Sequence, residues 1–415
     1  MEFEISELSN GLKVVHRQTD RPVAHCGLFI PAGSRDENPD EQGLAHFLEH
    51  CLFKGTKKRR AYHVLSRLED VGGELSAYTT KEETVIHCSF LNSYYARAIE
   101  LIADISLNST FPEREIAKEK EVIVDEIYSY KDNPGESIFD DFEELIFAGH
   151  PLGNNILGSV ESVRQLGRND LMNFINRHYR PEKMVFSSVG NIGMEHLCKL
   201  LEKHLQDYAH KQQQPVRLAV NGYQPKSLET KRPAYQTHAI IGTRAYPAQD
   251  ENSRVLLLLS NLLGGPGMNS RLNLNIREKF GFTYHLESFY QPYSDTGLFG
   301  IYLGTDPGTV KKVIRLVHRE LTKLREKKLG TLQLSKAKKQ LLGQIALAQE
   351  NNNAMMLAYG KSLMSFNKID DFATVQQKIE AITADELQAV AREIFAPAQL
   401  SSLIYRPENA NHGIS

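Results

Sequence analysis

A chain of 415 residues is too long for one ordinary core, and at about 100–200 residues per domain it is expected to fold as two or three. Its 41% hydrophobic and 24% charged residues are the composition of a soluble globular protein. A formal net charge of −2 supplies no global field for nucleic acid or an anionic membrane surface, so neither partner is expected.

No apolar run comes near the ~18 residues of a membrane span; the longest lies around residues 255–259. The opening Met1-Glu2-Phe3-Glu4-Ile5 has neither the basic start and apolar core of a secretory signal nor the Arg-rich, acid-poor character of a transit peptide. Cys26, Cys51, Cys88 and Cys198 form no C-x-x-C pair. Free thiols in a reducing cytoplasm are the simplest expectation.

In chain order, residues 12–16 and 24–30 read as strands, followed by a loop over 31–39 rich in Gly, Asp, Asn and Pro. A helix is expected over about 40–54, with Pro39 near its start and Gly55 after its end. Residues 74–80 and 83–90 read as strands joined by a polar turn; 94–107, 113–130 and 138–147 read as helices, and 185–189 as a short strand. From 209 to 235 the composition shifts to Gln212, Gln213 and Gln214, three prolines (Pro215, Pro225, Pro233) and many charges. That is the composition of an interdomain linker, with a short strand over 216–220. The expected division is 1–208, linker 209–235, and 236–415.

The part after the linker repeats the part before it. Strand, loop, Asp-Glu-Asn and helix succeed one another around Asp36, Glu37 and Asn38, and again around Asp250, Glu251 and Asn252. The strand and helix of 84–105 are echoed over 298–321, and the offset stays near 213 residues in both comparisons. The fold class expected is α+β: two similar duplicated domains, each an antiparallel-rich sheet packed with helices, joined by the linker.

The strongest chemical signal is His46-Phe47-Leu48-Glu49-His50. Residues four apart on a helix are separated by roughly 40° around its axis, so both histidines point the same way and can share one ion. Paired imidazoles suit zinc, and a catalytic zinc keeps one position open for water. Glu49, on the same broad face, can accept that water's proton; the order is the mirror of H-E-x-x-H. A surface or core histidine pair would read the same way in a pentapeptide, so the third ligand matters. It is expected within 113–130, which holds Glu115, Glu119, Glu121, Asp125 and Glu126. Glu119 and Glu126 are seven apart and share a helix face. Interspersed Ile116, Val122, Ile123, Val124 and Ile127 predict a substantially buried helix, where a carboxylate needs a compensating partner. The bland reading is a solvated acidic face, and periodicity alone does not choose among the carboxylates.

The stretch Gly43-Leu44-Ala45-His46-Phe47-Leu48-Glu49-His50-Cys51-Leu52-Phe53-Lys54-Gly55-Thr56 closely resembles the inverzincin family of pitrilysin, insulin-degrading enzyme and mitochondrial processing peptidase. The resemblance covers nearly the whole chain and is to two-domain bacterial-type members. It implies a third zinc ligand about 76 residues beyond the second histidine, at Glu126, and an auxiliary glutamate at Glu119 that supports the site from behind. Gly72-Gly73-Glu74-Leu75-Ser76-Ala77-Tyr78-Thr79 looks like the family strand that pairs with the substrate backbone, which implies substrate contacts at Ser76 and Ala77. Ser76 stands where the family usually has Asn, so the resemblance does not carry over how a substrate carbonyl is held, and leaves the metal site untouched. Cys51 stands where Met is commoner.

Gly264-Gly265-Pro266-Gly267-Met268-Asn269-Ser270-Arg271-Leu272 resembles the family's glycine-rich loop. It lacks the Gly-Lys-Ser/Thr ending of a phosphate-binding loop, so no nucleotide is expected. Arg277 and Tyr284 match a family pair that orients substrate and stabilises the oxyanion. Ser260, Leu263 and Gly264 stand where a second metal motif would fall, so the C-terminal domain is expected to bind substrate without a metal.

The expected protein is a zinc metalloendopeptidase with one Zn2+ per chain, Glu49 as catalytic base, and peptides or unfolded segments as substrates. The resemblance implies that two chains pair as a clamshell around a closed chamber. Because one chain carries both the metal motif and the Arg277/Tyr284 pair, a homodimer is expected, in the cytoplasm that the free thiols imply. The alternative is a non-catalytic or partner-dependent subunit of a processing-peptidase-like complex; the complete set His46, Glu49, His50, Glu119 and Glu126 argues against it. His25-Cys26 and His87-Cys88 are strand neighbours that face opposite ways, and are expected to pack. Cys51, directly after the motif, is a candidate for sensitivity to thiol reagents.

Overall fold

The computed structural model describes residues 3–206, 208 and 216–408. The chain divides into two compact units, each drawn from three stretches. The first takes the residues up to Ile127, Asn154–Leu218 and Leu347–Asp371; the second takes Tyr128–Gly153, Ala219–Ala346 and the residues from Phe372 on.

The first unit is built on strands β1 (Glu4–Glu7), β2 (Lys13–Gln18), β3 (Val23–Ile30), β4 (Glu74–Thr79), β5 (Thr84–Leu91) and β6 (Val185–Gly190), in the order β1-β2-β6-β3-β5-β4. All pairs are antiparallel except β2 with β6. One face carries Leu28, Ile30 and Ile86 into a core with Phe47, Leu52, Ile99, Ile102 and Phe174. The other presents Val15, Phe29, Val85, Val185 and Val189 to Met355, Met356, Tyr359 and Leu363 of the helix Asn352–Phe366. That helix lies tight on the sheet: a Cβ at Gly360 would meet the Phe29 ring at 2.3 Å. Covered on both faces, β6 is buried along its whole length, which explains its run of apolar and small residues.

The second unit has β7 (Ser227–Arg232), β8 (Thr237–Ala245), β9 (Thr283–Pro292), β10 (Gly297–Thr305) and β11 (Ser401–Pro407), in the order β7-β11-β8-β10-β9. Here too only the β7–β11 pair is parallel. This is the order and sense of β2-β6-β3-β5-β4. The register repeats as well: Cys26 opposes Cys88 as Ile240 opposes Tyr302, a shift of 214 on both strands. The fold is α+β and duplicated. The second sheet's outer face, with Ile240, Leu298, Tyr302 and Leu403, is covered by Ile138, Phe142 and Ile146 of the helix Pro134–Ile146.

The two covering helices are therefore exchanged. A division at 208 and 236 groups each with the half of the chain it belongs to, whereas packing assigns each to the sheet built by the other half. The segment expected as a linker is also divided. No strand forms over 216–220; instead Arg217 Nε lies 2.7 Å from Asp36 Oδ1 and Arg35 donates to the Leu218 carbonyl at 2.9 Å, while residues 227–232 form β7. Among the described residues no helix is long and apolar enough to cross a membrane.

Candidate metal centre

The helix Leu44–Leu52 is shorter than the expected 40–54, because residues 39–40 and 42–43 form separate turns before it, the second ending at Gly43 with φ 89, and residues 53–54 form a turn after it. It buries Leu44, Ala45, Phe47, Leu48, Cys51 and Leu52 against the sheet core. The same 3.6-residue period leaves His46, Glu49 and His50 half-buried on the opposite side, beside the edge strand β4. The helix Glu113–Lys131 buries Ile116, Glu119, Ile123, Val124 and Ile127. Val122, however, is 48% exposed, so this helix buries a single stripe rather than most of its surface.

The two helices bring their polar residues together. His46 Nε2 is 3.8 Å and His50 Nε2 3.7 Å from the same oxygen, Oε2 of Glu126. One donor atom from each of the three lies within 4.8 Å of the others. Three ligands on a tetrahedral zinc at its usual bond lengths would be ~3.3 Å apart, so a small contraction seats the ion. Glu126 remains 44% exposed at its side chain, which leaves the centre open to solvent on one side.

The surroundings prepare both rings. Burial first, then the neighbouring His50, holds the His46 imidazole down to about 4, so it stays neutral at pH 7 with a lone pair free for a metal. His50 Nδ1 donates to Glu119 Oε2 at 3.2 Å, and Lys54 Nζ sits 2.7 Å from the other oxygen of that carboxylate. Glu119 is buried at 6% exposure; paired with a lysine it can only accept, which keeps the His50 proton on Nδ1 and the Nε2 lone pair towards Glu126. Lys54 was not among the expected site residues. Its signal was present in the motif, one helical turn beyond His50.

Burial raises the Glu49 carboxyl above its ordinary range; the Thr79 hydroxyl and His50 oppose the shift and Glu126 adds to it. A raised carboxyl is better matched to proton transfer near neutrality. Thr79, at the end of β4, is the second neighbour the residue pattern did not single out.

Residues 13–160 match the family model described as Insulinase (Peptidase family M16), and residues 165–341 the one described as Peptidase M16 inactive domain. The chain is 30% identical over 397 residues to the uncharacterized zinc protease YmxG of Bacillus subtilis, with 95% of this chain and 96% of that protein covered. The chain belongs to peptidase family M16. A zinc protease of Rickettsia felis is 31% identical over 407 residues, covering 97% of both chains. The crystal structure of a protease from Helicobacter pylori superposes with a TM-score of 0.91 at 21% identity, covering 98% of this chain and 99% of that one. A peptidase M16 inactive domain from Pseudomonas fluorescens gives 0.89 at 18% identity, covering 98% of each. At such identities these two likenesses establish the fold.

The remaining expected residues of this M16 chain fall on edge strands and a short irregular helix. Among the described residues β4 pairs only with β5, placing Ser76 opposite His87 and Ala77 opposite Ile86, so its outer edge carries no partner strand there and Ser76 is exposed. In the second unit Arg277 lies in the π-helical segment Asn273–Glu278, 3.7 Å from the Glu278 carboxylate. Tyr284, on the edge strand β9, is 84% exposed.

The cysteine expectations divide. Cys51 is 1% exposed, and burial followed by the Glu119 charge pushes its thiol up to about 12. A buried thiol with so little thiolate does not react readily, which corrects the expected thiol-reagent sensitivity. Cys26 and Cys88, distant in sequence, are cross-strand partners with sulfurs 3.5 Å apart in the core. Their neighbours His25 and His87 are half-buried, with His25 Nδ1 2.8 Å from Ser89 Oγ.

Proposed function

We propose that this M16 chain is a zinc metalloendopeptidase that hydrolyses peptides and unfolded segments. The observation that carries the reading is the convergence of His46, His50 and Glu126 donor atoms beside the half-buried Glu49. His46, His50 and Glu126 would hold one zinc ion per chain, which would supply a Lewis acid for the scissile carbonyl and for the attacking water. Glu49 takes the proton from the attacking water and passes it to the leaving amine. Glu119, held by Lys54, keeps His50 in the ligating tautomer. The open edge of β4 receives an extended peptide as an added strand, in contact with Ser76 and Ala77. Arg277 and Tyr284 orient the peptide and stabilise the oxyanion.

In this reading the N-terminal domain, 1–208, supplies the metal and the C-terminal domain, 236–415, binds substrate without one. One chain carries both residue sets, which supports a homodimer closing around a chamber that admits peptides and unfolded segments; the free cysteines Cys26, Cys51, Cys88 and Cys198 support a reducing cytoplasm.

The test compares the unsubstituted protein with Glu49→Gln on a mixture of unstructured peptides, with zinc content measured in both. The expected result is equal zinc and a cleavage rate lower by about 10²–10⁴ in the variant. If neither protein cleaves while zinc stays bound, the chain is a partner-dependent subunit instead.

A further inference from the structure

The helix that carries His46 and His50 has no cap of its own. The residue before it is Gly43, at φ 89, with no side chain to offer. Nor can one be added: a Cβ at Gly43 would lie 2.7 Å from the Leu157 carbonyl oxygen, and one at Gly158, itself at φ 72, would lie 2.6 Å from that of Gln42. Two backbones meet here, at a helix end whose first N–H groups still need acceptors.

Leu44 N–H is taken by the Glu41 carbonyl. Gly43 and Ala45 are served from outside the helix: Glu37 Oε2 accepts from Gly43 N–H at 3.0 Å and Oε1 from Ala45 N–H at 2.8 Å. Ala45 immediately precedes His46. Glu37 is only 8% exposed, and the loop that bears it is pinned by Arg217 on Asp36 and Arg35 on Glu82. Its carboxylate is therefore a fixed acceptor, not a mobile one.

We infer that Glu37 is a positioning residue for the metal centre: an internal cap that sets the start of the metal helix and so the direction in which His46, Glu49 and His50 point. Sequence separation hides the role, because a helix cap is ordinarily the residue next to the helix. Burial raises the Glu37 carboxyl well above its usual range, while the Ala45 and Gly43 N–H groups pull it back. Both carboxyl oxygens are acceptors, one for each N–H. The consequence for catalysis rests on the metallopeptidase reading; the cap itself does not.

The experiment uses the full chain with Glu37→Gln, and Glu41→Gln as the matched control. Glu41 is equally buried and in the same loop, but its side chain bonds Asn38 and Arg177 rather than the metal helix. Zinc affinity is measured by chelator competition, and the ligand field by the visible absorption of the cobalt-substituted protein. Glu37→Gln keeps one acceptor and turns an amide N–H towards a backbone N–H. It is expected to bind zinc about ten-fold more weakly with an altered cobalt spectrum, whereas Glu41→Gln loses thermal stability and keeps both metal properties. Equal metal effects in the two variants, or none in Glu37→Gln, would overturn the inference.

Should Glu37→Gln fail to fold, amide exchange in the unsubstituted protein decides. A capped Ala45 N–H exchanges slowly, and exchange at the rate of a free amide rejects the cap. If the unsubstituted protein binds no zinc, the metallopeptidase reading fails separately, and the exchange measurement still judges Glu37.

Discussion

The two units share a strand order and a register, and they part company at one corner. In the first, the helix Leu44–Leu52 holds two imidazoles and a carboxylate beside β4. In the second, the helix Asn252–Gly264 lies against β9 at the same place in the fold, and at the same shift of 214 His46, Glu49 and His50 become Ser260, Leu263 and Gly264. There the helix closes directly onto the strand. Ser288 Oγ donates to the Ser260 carbonyl at 2.7 Å, and a Cβ at Gly264 would lie 2.6 Å from the Ser288 nitrogen. The helix Thr331–Ala348, which succeeds the second unit's corresponding strands and helix, contains neither Asp nor Glu. One copy fills the corner with two imidazoles and a carboxylate; the other fills it with backbone contact. The same topology thus accommodates either filling of the corner.

The comparison breaks most severely if the three-residue cluster is not what distinguishes the first unit. Glu126→Gln is expected to weaken zinc binding at least ~100-fold, since it removes one of three protein ligands. Glu119→Gln, which leaves the ligands in place but frees His50 Nδ1 and Lys54, is expected to weaken it ~10–100-fold. Chelator competition on both variants measures the order; a Glu119 effect equal to or larger than that of Glu126 would reverse the roles assigned to them.

A second consequence concerns acid. His46 and His178, both in the first unit, are each held down to about 4, with burial the first cause. In the unfolded chain they protonate near ~6.5. Between those values the unfolded state takes up protons that the folded state refuses, so stability falls as pH drops from about 6.5 to 4 and levels off below. The scale is ~1.4 kcal/mol per histidine per unit of depression. Urea midpoints of the metal-free protein at pH 7, 5.5 and 4.5 test this, and a flat profile would reject it.

A milder change is expected from a substitution in the second unit. Gly264→Ala pushes a methyl into the Ser288 backbone and is expected to destabilise the second unit by ~1–3 kcal/mol while zinc affinity stays unchanged. A loss of zinc in this variant would show that the second corner is coupled to the first.

The residue pattern alone put His46 and His50 together, because residues four apart need only the local helical period to share a face. It also carried the duplication, since a constant offset survives wherever strand and helix lengths are kept. Strands such as Val185–Gly190 were legible from their apolar runs, and the spacing of Glu119 and Glu126 placed both carboxylates on one helix face. Which of them would meet the imidazoles, and which would lie behind His50 with Lys54, depends on how deeply each end of the helix Glu113–Lys131 is buried. Only the tertiary structure decides that. The exchange of the helices Pro134–Ile146 and Asn352–Phe366 was hidden for a related reason. An apolar face records that a helix must be covered, and carries no mark of which sheet will cover it. Glu37 completes the pattern: a carboxylate in a loop reads as solvated charge until folding brings a helix end, six and eight residues away, onto its two oxygens.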